Sequence, residues 1–161
     1  MRDRRSAAAP SGLRFLAPLL ALLVLLVASG GLAPVATART EKTIVVSVGQ
    51  QTMWVYKGDR LVLTSAVSTG RAGFETPLGS YAVLSKLPSQ TMEGVIGGEY
   101  YNVPDVPSVM YFTPYGHALH GTYWHSNFGT PMSHGCVNLP LDVAAWLYEW
   151  APVGTRVLIV Q

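Results

Sequence analysis

The segment KTIVVSVGQQTMWVYKGDRLVLTSAVSTG, residues 42 to 70, constrains the fold of this chain more than any other. It contains three runs rich in β-branched and aromatic residues, TIVVSV, TMWVY and RLVLTSAV, and such residues favour strands. The sequence KGDR, residues 57 to 60, separates the second run from the third and is typical of a tight turn. These two runs are therefore predicted to form a β-hairpin.

Four more strand-like runs follow, together with one segment that has a helical pattern. The strand-like runs are SYAVLSK (80 to 86), VMYFT (109 to 113), HALHGT (117 to 122) and TRVLIV (155 to 160). The helical segment is PLDVAAWLYEWA, residues 140 to 151, in which Pro140 suits the first turn and Asp142 the positive end of the dipole. Its apolar face consists of Val143, Trp146, Leu147 and Trp150. Many short strands and one helix near the C-terminus predict a mainly β domain.

Residues 87 to 108, LPSQTMEGVIGGEYYNVPDVPS, have no clean period and carry three prolines and three glycines. This composition predicts a long loop. Two interpretations are open, because a long loop in a compact domain is either a functional lid or binding loop, or a decorated surface connection.

The first 38 residues have the three parts of a secretory signal peptide. A basic start is followed by a stretch without charges, residues 15 to 38, that ends in Ala36-Thr37-Ala38. Such a stretch is also long enough to remain as a membrane anchor. Gly30, Gly31 and Pro34 form a poor final helical turn, which favours cleavage after Ala38 and export of residues 39 to 161 as one domain.

Removal of the leader also removes most of the basic character of the chain. Residues 39 to 161 contain 7 Lys and Arg against 8 Asp and Glu, a net charge of −1. Proteins that bind nucleic acid need a dense basic face, so this class of function is not expected. Contact with a membrane is expected only through residues 15 to 38, if the leader is retained.

The chain has a single cysteine, Cys136, and all four of its histidines lie within twenty residues of it. A thiol near imidazoles is typical of zinc sites and of nucleophilic catalysis, while a buried inert thiol is the third interpretation. Structural zinc sites usually carry two or more cysteines, so no metal is predicted. His117 and His120 would face opposite sides of a strand, so only one is expected at the site and His117 is expected to be dispensable.

Nucleophilic catalysis also suits the residues around Cys136. Gly135 lets backbone N–H groups approach a reacting carbonyl, and N–H groups held in a turn stabilise an oxyanion. The helix predicted from residue 140 would lower the pKa of the thiol if its N-terminus lay close to Cys136.

The stretch HGTYWHSNFGTPMSHGCVN, residues 120 to 138, resembles the signature of the L,D-transpeptidase (YkuD) catalytic domain. That signature is a histidine, a spacer, then Ser or Thr followed by His-Gly-Cys, an apolar residue, and Asn or Arg. The strands of residues 42 to 70 and the sequence TPLGSYAV, residues 76 to 83, resemble the opening of the same domain. The resemblance covers essentially all of residues 39 to 161.

The resemblance implies a β-sandwich-like fold and a bacterial cell-envelope enzyme that acts on peptidoglycan stem peptides without a cofactor. Cys136 would attack the carbonyl of the third residue of a tetrapeptide stem, releasing D-Ala and leaving a thioester. An amine from a neighbouring stem would then form a 3→3 cross-link. Carbapenems, which mimic the acyl donor, would be inhibitors.

The resemblance also assigns roles to other residues. His120 would be the general base, oriented by the backbone carbonyl of Gly121, with His134 as the alternative base. The backbone N–H groups of His134 and Gly135 would form the oxyanion hole, and the hydroxyl of Tyr111 or Tyr101 would lie beside the oxyanion. Ser133 and Asn138 would support the turn by hydrogen bonds. His125 would contact the substrate.

Three other functions are compatible with the same residues. The thioester would support hydrolysis or exchange of D-amino acids if water or a free D-amino acid replaced the acceptor amine. A wall-binding module without activity and a zinc-binding envelope protein are the alternatives from other classes.

Overall fold

The computed structural model describes residues 41 to 161, which form a mainly β fold with one helix near the C-terminus, as predicted. The predicted leader, residues 1 to 38, lies outside the described residues. The strands are β1 (Lys42–Ser47), β2 (Thr52–Lys57), β3 (Arg60–Ala66), β4 (Gly79–Ala82), β5 (Ser85–Ile96), β6 (Glu99–Tyr111), β7 (Ala118–Gly121), β8 (Val137–Leu139) and β9 (Arg156–Val160), and the helix is α1 (Leu141–Trp150). Within residues 41 to 161, no helix has the length and apolar character needed to cross a membrane.

The first sheet contains five strands in the order β3-β2-β1-β9-β4. Strands β2 and β3 pair antiparallel, which confirms the predicted hairpin, and β1 pairs parallel with β9. Residues two apart on β1, Ile44 and Val46, are fully buried, and so are Met53 and Val55 on β2. This alternation places one face of the sheet on the core because successive side chains of a strand point to opposite sides.

The second sheet contains four strands in the order β5-β6-β7-β8. Strands β7 and β8 pair parallel, with His120 opposite Asn138. The main core cluster contains residues of both sheets and of α1, including Val46, Leu119 and Leu147. A smaller buried cluster of Val106, Val109 and Ala118 lies in the second sheet, and Cys136 packs against it.

Helix α1 differs in detail from its prediction. It begins at Leu141, so Pro140 is the N-cap residue, and it ends at Trp150. Its buried face is centred on Ala144 and Leu147, whereas Trp146 is 37% exposed. The helix packs on β6 and β7, and of the predicted apolar face Leu147 is buried in the main core cluster while Val143 and Trp150 pack against it.

Residues 87 to 108 form most of a long antiparallel hairpin, so the predicted loop is wrong. The prolines obscured the strand pattern, yet two of the three lie where a sheet tolerates them. Pro88 lies on the edge strand β5, and Pro104 lies on β6 opposite the register shift between Gln90 and Met92. Gly97 and Gly98 both have positive φ and form the turn. A Gly-Gly pair between two strands is a hairpin signal that was present in the sequence.

Candidate active site

A cavity of about 470 Å³ lies between the β5–β6 hairpin and the segments around β7 and β8. The structure brings seven of the predicted site residues to its lining: Tyr101, Tyr111, His120, Ser133, His134, Cys136 and Asn138. The hairpin adds residues that the sequence did not point to, including Gln90, Met92 and Val103. They were missed because residues 87 to 108 were predicted to be a loop.

Cys136 immediately precedes β8 and is half-buried. Its thiol lies 3.8 Å from the carbonyl oxygen of Gly116 and accepts a hydrogen bond from the backbone N–H of Ala118. Burial raises the pKa of the Cys136 thiol to about 11, although the Ala118 N–H acts in the opposite direction. The three residues of β8 and Pro140 separate Cys136 from the first residue of α1, and the net effect of its surroundings is to raise the pKa of the thiol, not to lower it.

His120 lies on β7, on the strand next to Cys136, and only 2% of it is exposed. Its Nδ1–H donates to the carbonyl oxygen of Gly121 at 3.1 Å, so the lone pair of a neutral ring is on Nε2. Burial lowers the pKa of His120 to about 4, helped by the charge of His125 and opposed by the bond to Gly121. At neutral pH the imidazole and the thiol of Cys136 are therefore both uncharged.

The pKa of His120 predicts a loss of stability in acid. As the pH falls through 6.5 the unfolded chain takes up a proton on this ring, whereas the folded protein does so only near pH 4. The free energy of unfolding should therefore fall by about 3 kcal/mol between pH 6.5 and pH 4 from this residue alone. Glutamine does not titrate in this pH range, so urea unfolding of His120→Gln should show a fall in the free energy of unfolding that is smaller by this amount. Equal falls in the wild type and in His120→Gln would contradict the burial of a neutral ring.

The turn that carries Cys136 is held from two sides. The hydroxyl of Ser133 donates to the carbonyl oxygen of Cys136 at 2.5 Å and accepts the N–H of Gly135 at 3.0 Å. The hydroxyl of Thr76, from the TPLG segment, donates to the carbonyl oxygen of Gly135 at 2.9 Å. The N–H of Gly135, predicted to face an oxyanion, is therefore already bonded within the turn.

The ring of His134 contacts the tip of the hairpin. Its Nε2 lies 3.1 Å from Oε2 of Glu99 and 3.0 Å from Nη2 of Arg71, and these two residues also form an ion pair. The ring stacks on Tyr101 with centroids 5.5 Å apart. Hydrogen bonds from His134 and Arg71 lower the pKa of Glu99. The imidazole of His134 thus joins the hairpin to the cysteine turn.

Asn138 and His125 form a pair beside the cavity. Asn138 is 2% exposed, and its Nδ2 lies 2.8 Å from Nε2 of His125. His125 is not part of the cavity lining, whereas Asn138 is. His125 is therefore linked to the cavity by its hydrogen bond with Asn138.

Two tyrosines line the cavity from the hairpin. Tyr111 donates its hydroxyl proton to Oε1 of Gln90 at 2.8 Å, while Tyr101 stacks on His134. Burial raises the pKa of both phenols, and a negative charge on Cys136 would raise it further. Both hydroxyl groups therefore stay protonated near neutral pH.

The family of this chain follows from a comparison with known proteins. The model of the YkuD family, the L,D-transpeptidase catalytic domain, matches residues 41 to 159, which include the whole site described above. The chain belongs to this L,D-transpeptidase family. Its members are acyltransferases, so the family prediction made from the signature is confirmed.

Individual L,D-transpeptidases resemble the chain over most of its length. The probable L,D-transpeptidase YbiS of Escherichia coli (strain K12) is 28% identical over 135 residues, which cover 73% of this chain and 44% of that protein. The solved structure of an L,D-transpeptidase from Mycobacterium smegmatis has a TM-score of 0.71 at 28% identity and covers 75% of this chain and 59% of that one. LD transpeptidase LdtMt1, solved in complex with imipenem, has a TM-score of 0.70 at 28% identity, with coverages of 74% and 58%. This chain spans about half the length of these relatives.

The structure corrects one prediction about the histidines of this family member. His117 lies before the start of β7 at Ala118, so the alternation of a strand does not apply to it. His117 and His120 both line the cavity. The expectation that only one of them reaches the site is wrong.

Between residues 41 and 161, no three side chains of His, Cys, Asp or Glu are arranged to hold a metal ion. The absence of a metal from the reaction stays a prediction.

Proposed function

We propose that this chain is a peptidoglycan L,D-transpeptidase in which Cys136 is the nucleophile and His120 the general base. One observation carries the proposal: neighbouring parallel strands bring Cys136 and His120 to the same cavity, and the bond from Nδ1 of His120 to Gly121 leaves Nε2 free to accept a proton. A thiol beside a base that is itself oriented by a third group is the arrangement expected of an activated nucleophile.

Acylation begins with the uncharged pair. Nε2 of His120 takes the proton of the Cys136 thiol while the sulfur bonds to the carbonyl carbon of the third residue of a tetrapeptide stem. The bond from that carbon to the nitrogen of D-Ala then breaks, and the amine leaves with the proton held by His120. A thioester on Cys136 remains, and no charge is left on the imidazole.

Transfer reverses these proton movements. The side-chain amine of a second stem attacks the thioester carbonyl and gives a proton to Nε2 of His120. The carbon–sulfur bond breaks, and the sulfur recovers a proton from the imidazole. The product is an amide that joins two third residues, which is the 3→3 cross-link.

The other predicted residues have supporting roles in this proposal. Ser133 holds the turn of Cys136 through its two hydrogen bonds, and Asn138 is held by His125 next to His120. The oxyanion hole uses the backbone N–H groups of His134 and Cys136, because that of Gly135 is bonded to Ser133. The imidazole of His134 contacts Glu99 and Arg71, which favours His120 as the base.

The proposal places the protein in the bacterial cell envelope, exported through the leader of residues 1 to 38. Its partners are peptidoglycan stem peptides, and β-lactams of the carbapenem class are expected inhibitors. The similarity to LdtMt1, which was solved in complex with imipenem, supports this expectation.

Incubation of the full chain with purified disaccharide-tetrapeptide, followed by mass analysis, tests the proposal. The expected product is a cross-linked dimer that has lost one D-Ala. Release of tripeptide alone would identify a hydrolase, and incorporation of an added D-amino acid would identify exchange. In parallel, imipenem should raise the intact mass of the protein by one equivalent. Unchanged substrate together with unchanged protein mass would refute the enzymatic function.

A further inference from the structure

His117 has a hydrogen-bond environment that defines its tautomer. The hydroxyl oxygen of Thr113 accepts the backbone N–H of Tyr115 at 3.3 Å and that of His117 at 3.1 Å. These two donors occupy both lone pairs of the hydroxyl oxygen. Its proton is therefore directed at the remaining neighbour, Nδ1 of His117, at 2.9 Å.

An imidazole that accepts at Nδ1 carries its proton on Nε2 when it is neutral. Burial lowers the pKa of His117, which favours the neutral ring. Nε2 of His117 makes no hydrogen bond to any residue between 41 and 161. His117 thus offers an N–H donor to the cavity that it lines.

This donor lies at the reacting end of the cavity. A Cβ atom placed on Gly135 would come within 3.0 Å of Nε2 of His117 and 2.9 Å of its Cδ2, so the ring packs directly on Gly135. Gly135 has φ +114 and no side chain, which makes this approach possible. The residues on either side of His117, Gly116 and Ala118, both contact the sulfur of Cys136.

His117 and His120 therefore have opposite tautomers. His120 donates from Nδ1 and has its lone pair on Nε2, whereas His117 accepts at Nδ1 and has its proton on Nε2. The ring of His120 is able to accept the proton of the thiol, and the ring of His117 is able to donate a hydrogen bond. The donor of His117 lies beside Gly135, whose own N–H is bonded to Ser133, and it would therefore add to the N–H groups of His134 and Cys136.

We infer that His117 is a further catalytic residue, whose Nε2–H donates a hydrogen bond to the oxygen of the carbonyl that Cys136 attacks. The inference rests on the proposed function, since it concerns the same tetrahedral intermediate. The negative charge on that oxygen is greatest in the intermediate, so a fixed donor beside it speeds acylation more than it strengthens binding. The role replaces the expectation that His117 is dispensable.

Three proteins test the inference in an acylation assay with imipenem, read by intact mass over time. His117→Phe keeps a planar ring but has no donor, and it should be acylated about 100-fold more slowly than the wild type. His117→Gln keeps a side-chain N–H and should retain most of the rate. The Kd for imipenem before acylation should be similar in all three, because the donor acts on the intermediate.

A spectroscopic measurement on the wild type tests the tautomers without any variant. Imidazole nitrogen chemical shifts should show the proton of His117 on Nε2 and that of His120 on Nδ1. A proton on Nδ1 of His117 would overturn the inference, even if the variants failed to fold.

Other results would also overturn it. Acylation of His117→Phe at the wild-type rate would exclude a donor role, and equal losses in His117→Phe and His117→Gln would indicate only a packing role. A wild-type protein that imipenem does not acylate would refute the proposed function and the inference together. Normal acylation of the wild type and of His117→Phe would refute the inference alone.

Discussion

Replacement of Cys136 by alanine is expected to abolish both the imipenem adduct and the cross-linked product. The chain has no other cysteine, so the variant contains no thiol to form a thioester. Loss of a nucleophile that acts together with its base typically lowers kcat by about 10⁶-fold. Intact mass after incubation with imipenem and product analysis after incubation with disaccharide-tetrapeptide measure the two losses.

The variant should keep its fold, which makes the result interpretable. Gly116 and Ala118 contact the sulfur through backbone atoms, and the bond from Ser133 goes to the backbone carbonyl of Cys136. Cys136→Ser is the matched control, because it keeps a polar atom of similar position with far weaker nucleophilicity. Both variants should unfold at nearly the wild-type temperature. An imipenem adduct that persists on Cys136→Ala would show that another residue is the nucleophile.

Replacement of His120 by glutamine is expected to lower the acylation rate at pH 7 by about 10²- to 10⁴-fold. The thiol of Cys136 has a pKa of about 11. Without the base, attack depends on the thiolate that is already present, which at pH 7 is about one molecule in 10⁴. The initial rate of imipenem acylation measures the loss.

The pH profile separates loss of the base from general damage to the site. His120 is neutral above about pH 4, so the wild-type acylation rate should be nearly constant from pH 5 to pH 9. In His120→Gln the rate should rise about tenfold per pH unit over this range, because the thiolate population does so. A variant with a lower rate and a flat profile would mean that His120 is a positioning residue and that another group takes the proton.

Much of the fold was predictable because its signals are local. Runs of β-branched and aromatic residues with a turn sequence between them sufficed for the β2–β3 hairpin. Apolar periodicity with Pro140 and Asp142 sufficed for α1 to within one residue at each end. The β5–β6 hairpin was not predicted because the prolines of residues 87 to 108 masked the strand pattern. Whether a proline fits a strand depends on the neighbouring strand, and the sequence does not reveal that neighbour.

Some features of the candidate site were likewise predictable from the sequence, and others were not. The spacing of His120, Ser133 and Cys136 was enough to predict the family and to nominate the nucleophile and the base. The role inferred for His117 was not predictable, because it depends on the hydroxyl of Thr113 and on the absence of a side chain at Gly135. The sequence also suggested a lowered thiol pKa, whereas burial raises the pKa of Cys136.

By itself, the amino-acid sequence determined the mainly β class of residues 41 to 161, the helix near their C-terminal end and the family of this protein. This is because strand and helix patterns are visible within a few neighbouring residues, and the family signature is a fixed spacing of residues along the chain. The tertiary structure alone decided that a hairpin lines the cavity, that the rings of His117 and His120 line it with opposite tautomers, and that the thiol of Cys136 and the imidazole of His120 are uncharged at neutral pH. Protonation and hydrogen bonding depend on burial and on partners distant in sequence, which exist only once the sheets have packed.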